Sequence, residues 1–272
     1  MSAIHDIDKN VSVIIPVYNR REKVLRALES VRSQTRFHDI LEIFVIDDGS
    51  TDGTDEAVIQ YQNEHPEMPI KLIRQANSGP SIARNLGMAN ASGYYLAFLD
   101  SDDEWLEDKL ALQLELMEDH PEVDFLGGGT DDDPLTILGK KKPLLYRATL
   151  KDLLIKSFPV TPSIIMKKEI YDNIGGFDPA ISYYEDCDYL QQICIAGYGY
   201  YYYAKKVVIC DRGKSSFGES GLSKNLGKIH VDCIKSLQKR RREKSITLFQ
   251  YFLLYVFYTL KHLRRVVISR TH

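Results

Sequence analysis

Asp100 and Asp102 flank Ser101 at the end of the apolar run Gly93-Tyr-Tyr-Leu-Ala-Phe-Leu, and Asp103 follows them. Alternating carboxylates at a strand end can share a divalent cation. Such an ion takes hard oxygen ligands and completes its shell with water and substrate phosphates. The same residues also suit an acidic helix start, with Ser101 or Asp102 capping a helix that contains Leu106 and Leu110. Deciding between the two requires the elements around them.

The run before Asp100 has the continuous apolar character of a central strand covered on both faces. Val11 to Pro16 reads as a first strand, followed by a turn at Tyr18-Asn19-Arg20 and a helix with Val24, Leu25, Leu28 and Val31 on its buried face. Leu41 to Ile46 gives a second strand ending in Asp47-Asp48-Gly49-Ser50, with a helix after it. Ile70 to Ile73 is a third strand, and Asn77-Ser78-Gly79-Pro80 turns into the helix that precedes the fourth. This alternation predicts an α/β fold, a mostly parallel sheet with helices on both faces. Ligands of such sheets bind at the carboxyl ends of the strands, where Asp48, Asp100 and Asp102 lie. Further on, a helix is expected near 107–118, strands near 123–126, 163–166 and 200–210, and a helix over 185–196. The tyrosines from Tyr198 to Tyr203 are expected to pack as a strand.

Several site classes are absent from the sequence. The turn after the first strand has no GxGxxG, and GxxxxGK[ST], GxSxG and HExxH do not occur. Tyr18 can stack a base and Asp48 can accept a base N–H. With a metal at Asp100 and Asp102, these parts suit a nucleoside diphosphate. The net charge of −3 gives no global pull toward nucleic acid, and the four cysteines form no CxxC pair, as expected of reduced thiols. The start carries no basic-then-apolar leader, and no run reaches the roughly 20 apolar residues of a membrane span.

Four motifs occur in order: Val-Ser-Val-Ile-Ile-Pro-Val-Tyr-Asn from Val11, Ile-Asp-Asp-Gly-Ser-Thr-Asp-Gly-Thr from Ile46, Gly-Pro-Ser-Ile-Ala-Arg-Asn from Gly79, and Leu-Asp-Ser-Asp-Asp from Leu99. Together they resemble the family 2 inverting glycosyltransferases of the GT-A fold, closely as far as residue 120. The likeness continues through Gly175-Gly176-Phe177-Asp178 and Tyr184-Glu185-Asp186-Cys187-Asp188. It implies a Rossmann-like catalytic domain over 9–224, with a nucleotide-binding half (9–120) and an acceptor-binding half (121–224), followed by a helical segment over 225–272.

Position by position, the resemblance places Pro16, Val17 and Tyr18 in the nucleoside pocket and Asp48 against uracil, with Asp47 as an alternative holder of the loop. Gly79, Arg84 and Asn85 close over the nucleotide. Arg84 suits phosphate, and its alternative is a surface salt bridge. Asp100, Ser101 and Asp102 match the DxD element, with Asp102 the leading metal ligand beside Asp100; Asp103 suits a helix cap. The cation implied is Mn²⁺ or Mg²⁺. Asp186 matches the catalytic base, held ionised by a helix N-terminus. Glu185 points away from it, as a helix-dipole partner or an acceptor contact.

In similar enzymes the stretch Asp211 to Ser223 folds over the donor, and Arg212 with Lys214 are its candidates here. It has no histidine, and His230 reads as a helix-surface residue. Ile246 to Leu260 is apolar, between Arg240–Lys244 and Lys261–Arg265. It suits a helix lying in a membrane interface, or one packed on the catalytic domain or in a homodimer.

The resemblance thus implies a metal-dependent inverting transfer from a UDP-sugar to a saccharide, carried on a polyprenyl diphosphate, forming a β-linkage. The setting implied is cell-surface polysaccharide synthesis at the cytoplasmic face of the membrane. The rival readings are a metal-dependent nucleotidyltransferase and a non-catalytic sugar-nucleotide binder.

Overall fold

The computed structural model describes residues 10–210 and 225–270. The first elements are β1 (Val11–Val17), α1 (Arg21–Arg32), β2 (Ile40–Asp47), α2 (Thr54–Glu64), β3 (Ile70–Arg74), α3 (Pro80–Asn90) and β4 (Tyr95–Phe98). Then come β5 (Glu104–Trp105), α4 (Lys109–Asp119), β6 (Phe125–Gly129), β7 (Thr136–Ile137), β8 (Lys140–Lys141) and β9 (Leu145–Arg147). The remainder holds α5 (Leu150–Ile155), β10 (Ile165–Lys167), α6 (Lys168–Ile174), α7 (Glu185–Ile195), β11 (Tyr200–Lys206), β12 (Val208–Ile209), α8 (Leu226–Arg242) and α9 (Leu248–Arg270).

Among the described residues, eight strands join in the order β3-β2-β1-β4-β10-β6-β11-β9. The first four run parallel, as the alternation predicts. β10 enters antiparallel between β4 and β6, and β9 closes the far side antiparallel to β11. Side chains alternate across β1: Val13, Ile15 and Val17 join one apolar core, whereas Ile14 joins the other on the opposite face. Both faces are therefore covered, which is why β1 tolerates no polar stripe.

β1 pairs with β4 only as far as Ile14, while its pairing with β2 continues to Val17. The sheet opens between β1 and β4 at their carboxyl ends. Pro16 lies in this opened stretch, where one ladder has already ended and a missing N–H costs least. The tyrosine-rich strand packs as expected. Tyr200 stacks on Phe125 at 4.3 Å and its hydroxyl donates to Phe158 O at 2.5 Å.

The helix expected near 107–118 is present as α4, but Ser101, Asp102 and Asp103 do not cap it. Asp103 is buried in a turn, Glu104–Trp105 forms β5 against β12, and α4 starts at Lys109. Trp105 decides this. Its ring is buried, its Nε1–H donates to Pro162 O at 2.7 Å, and its backbone N–H donates to Ser30 Oγ at 3.0 Å.

α9 packs one face on α8 and α5. Tyr258 is buried with Cys233, Leu237, Ile246 and Leu154, and its hydroxyl donates to Leu154 O at 2.6 Å. The opposite face leaves Phe249, Phe252, Leu260 and Leu263 exposed. Among the described residues, no helix is long and apolar enough to cross a membrane.

Candidate active site

The opened end of the sheet is organised by hydrogen bonds from the loops to carboxylates. Asp48, buried at the end of β2, accepts from Gln75 Nε2 (2.7 Å) and from the N–H groups of Ser78 (2.8 Å) and Gly79 (2.8 Å). Its neighbour Asp47 accepts from Ser50 N–H at 2.9 Å. Both aspartates therefore hold loops, and Asp48 fixes the one that opens α3. Gly79 has φ +89°, and a Cβ there would meet nothing within 4 Å. The backbone at this helix start is thus open to an approaching ligand.

Across this opening, Pro16 is partly covered, Val17 is buried, and Tyr18 is 47% exposed. Asn19 braces the turn, its N–H donating to Ser50 Oγ (2.9 Å) and its Oδ1 accepting from Thr51 N–H (2.8 Å). The next residue, Arg20, places its Nε 4.0 Å from Asp102 Oδ2. Residue-type reasoning gave Arg20 no role, although its place directly after the first-strand motif was a usable signal.

Asp100, Ser101 and Asp102 lie in the turn beyond β4, with Ser101 buried and both carboxylates partly exposed. Arg84 reaches them from α3: its Nη2 donates to Asp100 Oδ1 at 2.7 Å. Arg84 is only 6% exposed, so the surface salt-bridge alternative is excluded. Its Nη1 lies 3.7 Å from Glu185 Oε1, and Phe177 packs against its guanidinium at 5.5 Å. Arg84 Nε and Nη1 have no hydrogen-bond partner among the described residues, leaving buried donor capacity unspent.

Arg84 thereby joins the β4 turn to the first turn of α7, about a hundred residues later in the chain. Glu185 is buried there. Burial first and Asp186 second push its carboxyl up to about 7, against the pull of Arg84. Asp186 is half-buried and accepts from Cys187 N–H at 2.7 Å. Asp188, fully buried, is held by Arg240 (2.8 Å), Ser236 Oγ (2.6 Å) and Lys239 (3.2 Å), which fixes α7 to α8. Asn85 Oδ1 accepts from Phe177 N–H and its Nδ2 donates to Phe177 O, both at 2.8 Å. Its amide braces the Gly175-Gly176-Phe177 loop.

A cavity of about 300 Å³ opens beside Asp186 and Glu185, bounded by α5, α8 and α9. His230 faces it and stacks on His262 at 4.6 Å, so it is not the simple helix-surface residue expected. Arg212 and Lys214 lie outside the described residues. Among the described residues, no three His, Cys, Asp or Glu side chains come close enough to hold a metal by themselves. The two carboxylates at Asp100 and Asp102 fit a hard cation whose remaining ligands come from a diphosphate and water.

The family described as Glycosyl transferase family 2 matches residues 12–175. An uncharacterized glycosyltransferase of Rickettsia felis is 48% identical over 113 residues, 42% of this chain and 18% of that protein. The putative teichuronic acid biosynthesis glycosyltransferase TuaG of Bacillus subtilis is 43% identical over 107 residues, 39% of this chain and 41% of that protein. The chain therefore spans less than half the length of these relatives. The S. aureus TarS 1–349 structure in complex with UDP matches 94% of this chain and 72% of its own, with a TM-score of 0.66 at 19% identity. The mannosyltransferase PcManGT from Pyrobaculum calidifontis, in complex with GDP-Man and Mn²⁺, matches 86% of this chain and 64% of its own, with a TM-score of 0.70 at 22% identity. At these identities the structural likeness is one of fold, and the fold is that of GT-A glycosyltransferases.

Proposed function

This chain belongs to glycosyl transferase family 2, and from that premise we propose that it moves a sugar from a UDP-sugar to a hydroxyl of a lipid-diphosphate-linked saccharide. The reading includes inversion to a β-linkage, and a role in building a cell-surface polysaccharide at the cytoplasmic membrane face. The similarity to TuaG, a putative teichuronic acid biosynthesis glycosyltransferase, supports the polysaccharide setting, and the UDP bound by TarS supports the donor class.

The observation that carries the proposal is Arg84 placed between Asp100 and Glu185. It brings the strand-end carboxylates and the α7 N-terminus, with Asp186 as its second residue, into one neighbourhood. Pro16, Val17 and Tyr18 would receive the nucleoside, and Gly79 would let the α3 N-terminus approach the phosphates. Asp100 and Asp102 would hold Mn²⁺ or Mg²⁺, which when bound neutralises the diphosphate and makes it a better leaving group. Asp186 accepts the proton of the acceptor hydroxyl while that oxygen bonds to the anomeric carbon. The bond from that carbon to the diphosphate breaks with its electron pair leaving on the phosphate oxygen. A single displacement inverts the centre. The division into a catalytic domain over 9–224 and a helical appendage over 225–272 belongs to the same reading, as does membrane contact through the exposed face of α9.

Asp186→Asn tests it. Nucleotide binding should persist while transfer from UDP-sugars to a lipid-diphosphate saccharide falls by roughly 10²–10⁴-fold. Retained transfer removes Asp186 as the base. No transfer by the parent across a panel of sugar nucleotides with Mn²⁺ removes the proposal.

A further inference from the structure

The cavity beside Asp186 has an unusual distribution of charge. One wall carries Glu185 and Asp186, while α8 and α9 contribute His230, Lys261, His262 and Arg265. Between them the lining is apolar, with Leu154, Ile229 and Tyr258. The volume of about 300 Å³ corresponds to on the order of ten water molecules. The basic residues flanking the apolar stretch of α9 therefore do not all face outward, as headgroup contacts would.

These basic groups crowd one another. The His230 and His262 rings stack 4.6 Å apart, nearly parallel at 9°. Lys261 packs over the Phe257 ring at 5.9 Å. Burial, and then Arg265, push the Lys261 ammonium below its usual value, and burial followed by His262 does the same to His230. Lys261 and Arg265 bring like charges together in a partly dehydrated wall, and an anion placed between them is attracted by both. Phosphate oxygens suit Lys261 and Arg265 as charge partners and the imidazole N–H groups as hydrogen-bond partners.

We propose that this cavity is an acceptor-phosphate site, in which Lys261, Arg265, His230 and His262 bind the diphosphate of a prenyl-diphosphate-linked saccharide and hold its sugar toward Asp186. The assignment rests on the transferase reading above and adds to it the residues that recognise the carrier. The apolar lining receives the first carbons of the prenyl chain. The exposed apolar face of α9 continues from the same helix, so the chain can pass from the cavity to a bilayer surface.

Farnesyl diphosphate serves as the probe, titrated calorimetrically into the full chain in EDTA so that no cation offers a second diphosphate site. Farnesyl diphosphate should bind at least about ten-fold tighter than farnesol, and the double variant Lys261→Gln, Arg265→Gln should weaken it by roughly ten-fold or more. Lys261→Arg should keep most of the affinity, which separates lost charge from a damaged helix. Asp102→Asn should leave binding unaltered, because the donor side is not involved. Equal binding of farnesol, binding indifferent to the double variant, or binding lost in Asp102→Asn would each overturn the assignment. Inorganic pyrophosphate binding as tightly as farnesyl diphosphate would overturn the prenyl part and mark a free-anion site. No sugar transfer enters this readout, so the proposal and the transferase reading fail separately.

Discussion

Arg84 Nη2 donates to Asp100 Oδ1 across 2.7 Å in a place where the guanidinium is almost wholly removed from water. The pair ties a carboxylate of the turn after β4 to a cation that also faces Glu185, 3.7 Å away at the start of α7. A buried charge with both partners in place is tolerable, and one that loses its counter-ion is costly.

Arg84→Met should therefore destabilise the protein by about 3 kcal/mol at pH 8. Arg84→Lys should fall between, since an ammonium keeps the charge without the planar fork. Urea unfolding measures both. A parent-like midpoint for Arg84→Met would mean that the buried pair contributes nothing.

Glu185 sets a pH dependence whose sign follows from its raised pKa. In the native state the carboxyl titrates near about 7, above its ordinary 4.5. Folding thus favours the protonated form, and this contribution is fully present below the unfolded value. It is lost as pH rises from about 4.5 through about 7. Glu185→Gln should raise stability at pH 8 by about 1–3 kcal/mol and change little at pH 4.5. The measurement is thermal or urea unfolding of both proteins without donor or metal. An equal effect at the two pH values would contradict the raised pKa.

Asp102 is the proposed cation ligand, so Asp102→Asn should make UDP binding insensitive to added Mn²⁺. Transfer should drop by about a hundredfold or more, since even outer partners of metal ligands cost 10–100-fold. Titrating UDP with and without Mn²⁺ checks the first point and initial rates the second. Undiminished Mn²⁺ enhancement in the variant would move the cation elsewhere.

Arg240 and Asp188 are both fully buried and 2.8 Å apart, fastening α8 to the helix that carries Asp186. Removing Arg240 alone (Arg240→Met) should cost about 3–5 kcal/mol. The double variant Asp188→Leu, Arg240→Met should cost less than the sum of the single changes, because it leaves no orphaned charge. Additive losses in urea unfolding would deny the coupling.

The outer face of α9 exposes Phe249, Phe252 and Leu260. With vesicles rich in phosphatidylglycerol the protein should float, and Phe249→Ser, Phe252→Ser, Leu260→Ser together should release it. Each of these side chains is worth about 1.5–3 kcal/mol if fully inserted. A parent that stays in the bottom fraction would leave α9 as a packing helix only.

Much of this architecture was legible along the chain. The apolar runs Val11 to Pro16 and Leu41 to Ile46 predicted parallel strands with polar residues at their exits, and the strands formed over Val11–Val17 and Ile40–Asp47. Asp100 and Asp102 drew attention as carboxylates ending a buried strand, and the pairing of Asp100 with Arg84 was not readable from their spacing. The helix expected near 107–118 formed as Lys109–Asp119, but no helix opens at Ser101–Asp103, since Trp105 finds its partners at Pro162 and Ser30, which local propensity does not register. Asn85, which the resemblance places over the nucleotide, also braces Phe177 through its side-chain amide, a pairing set by where two distant loops meet.

The order of residues by itself settled the α/β alternation, the family and the chemistry available at each strand end, because these depend on side-chain type and short-range periodicity. The tertiary structure alone decided that Arg84 bridges Asp100 and Glu185, and that His230, Lys261 and Arg265 turn toward the cavity beside Asp186. Those relationships join segments up to about a hundred positions apart, and only the packing of α3 and α7 against each other, and of α8 and α9 beside α7, brings them within reach of one another.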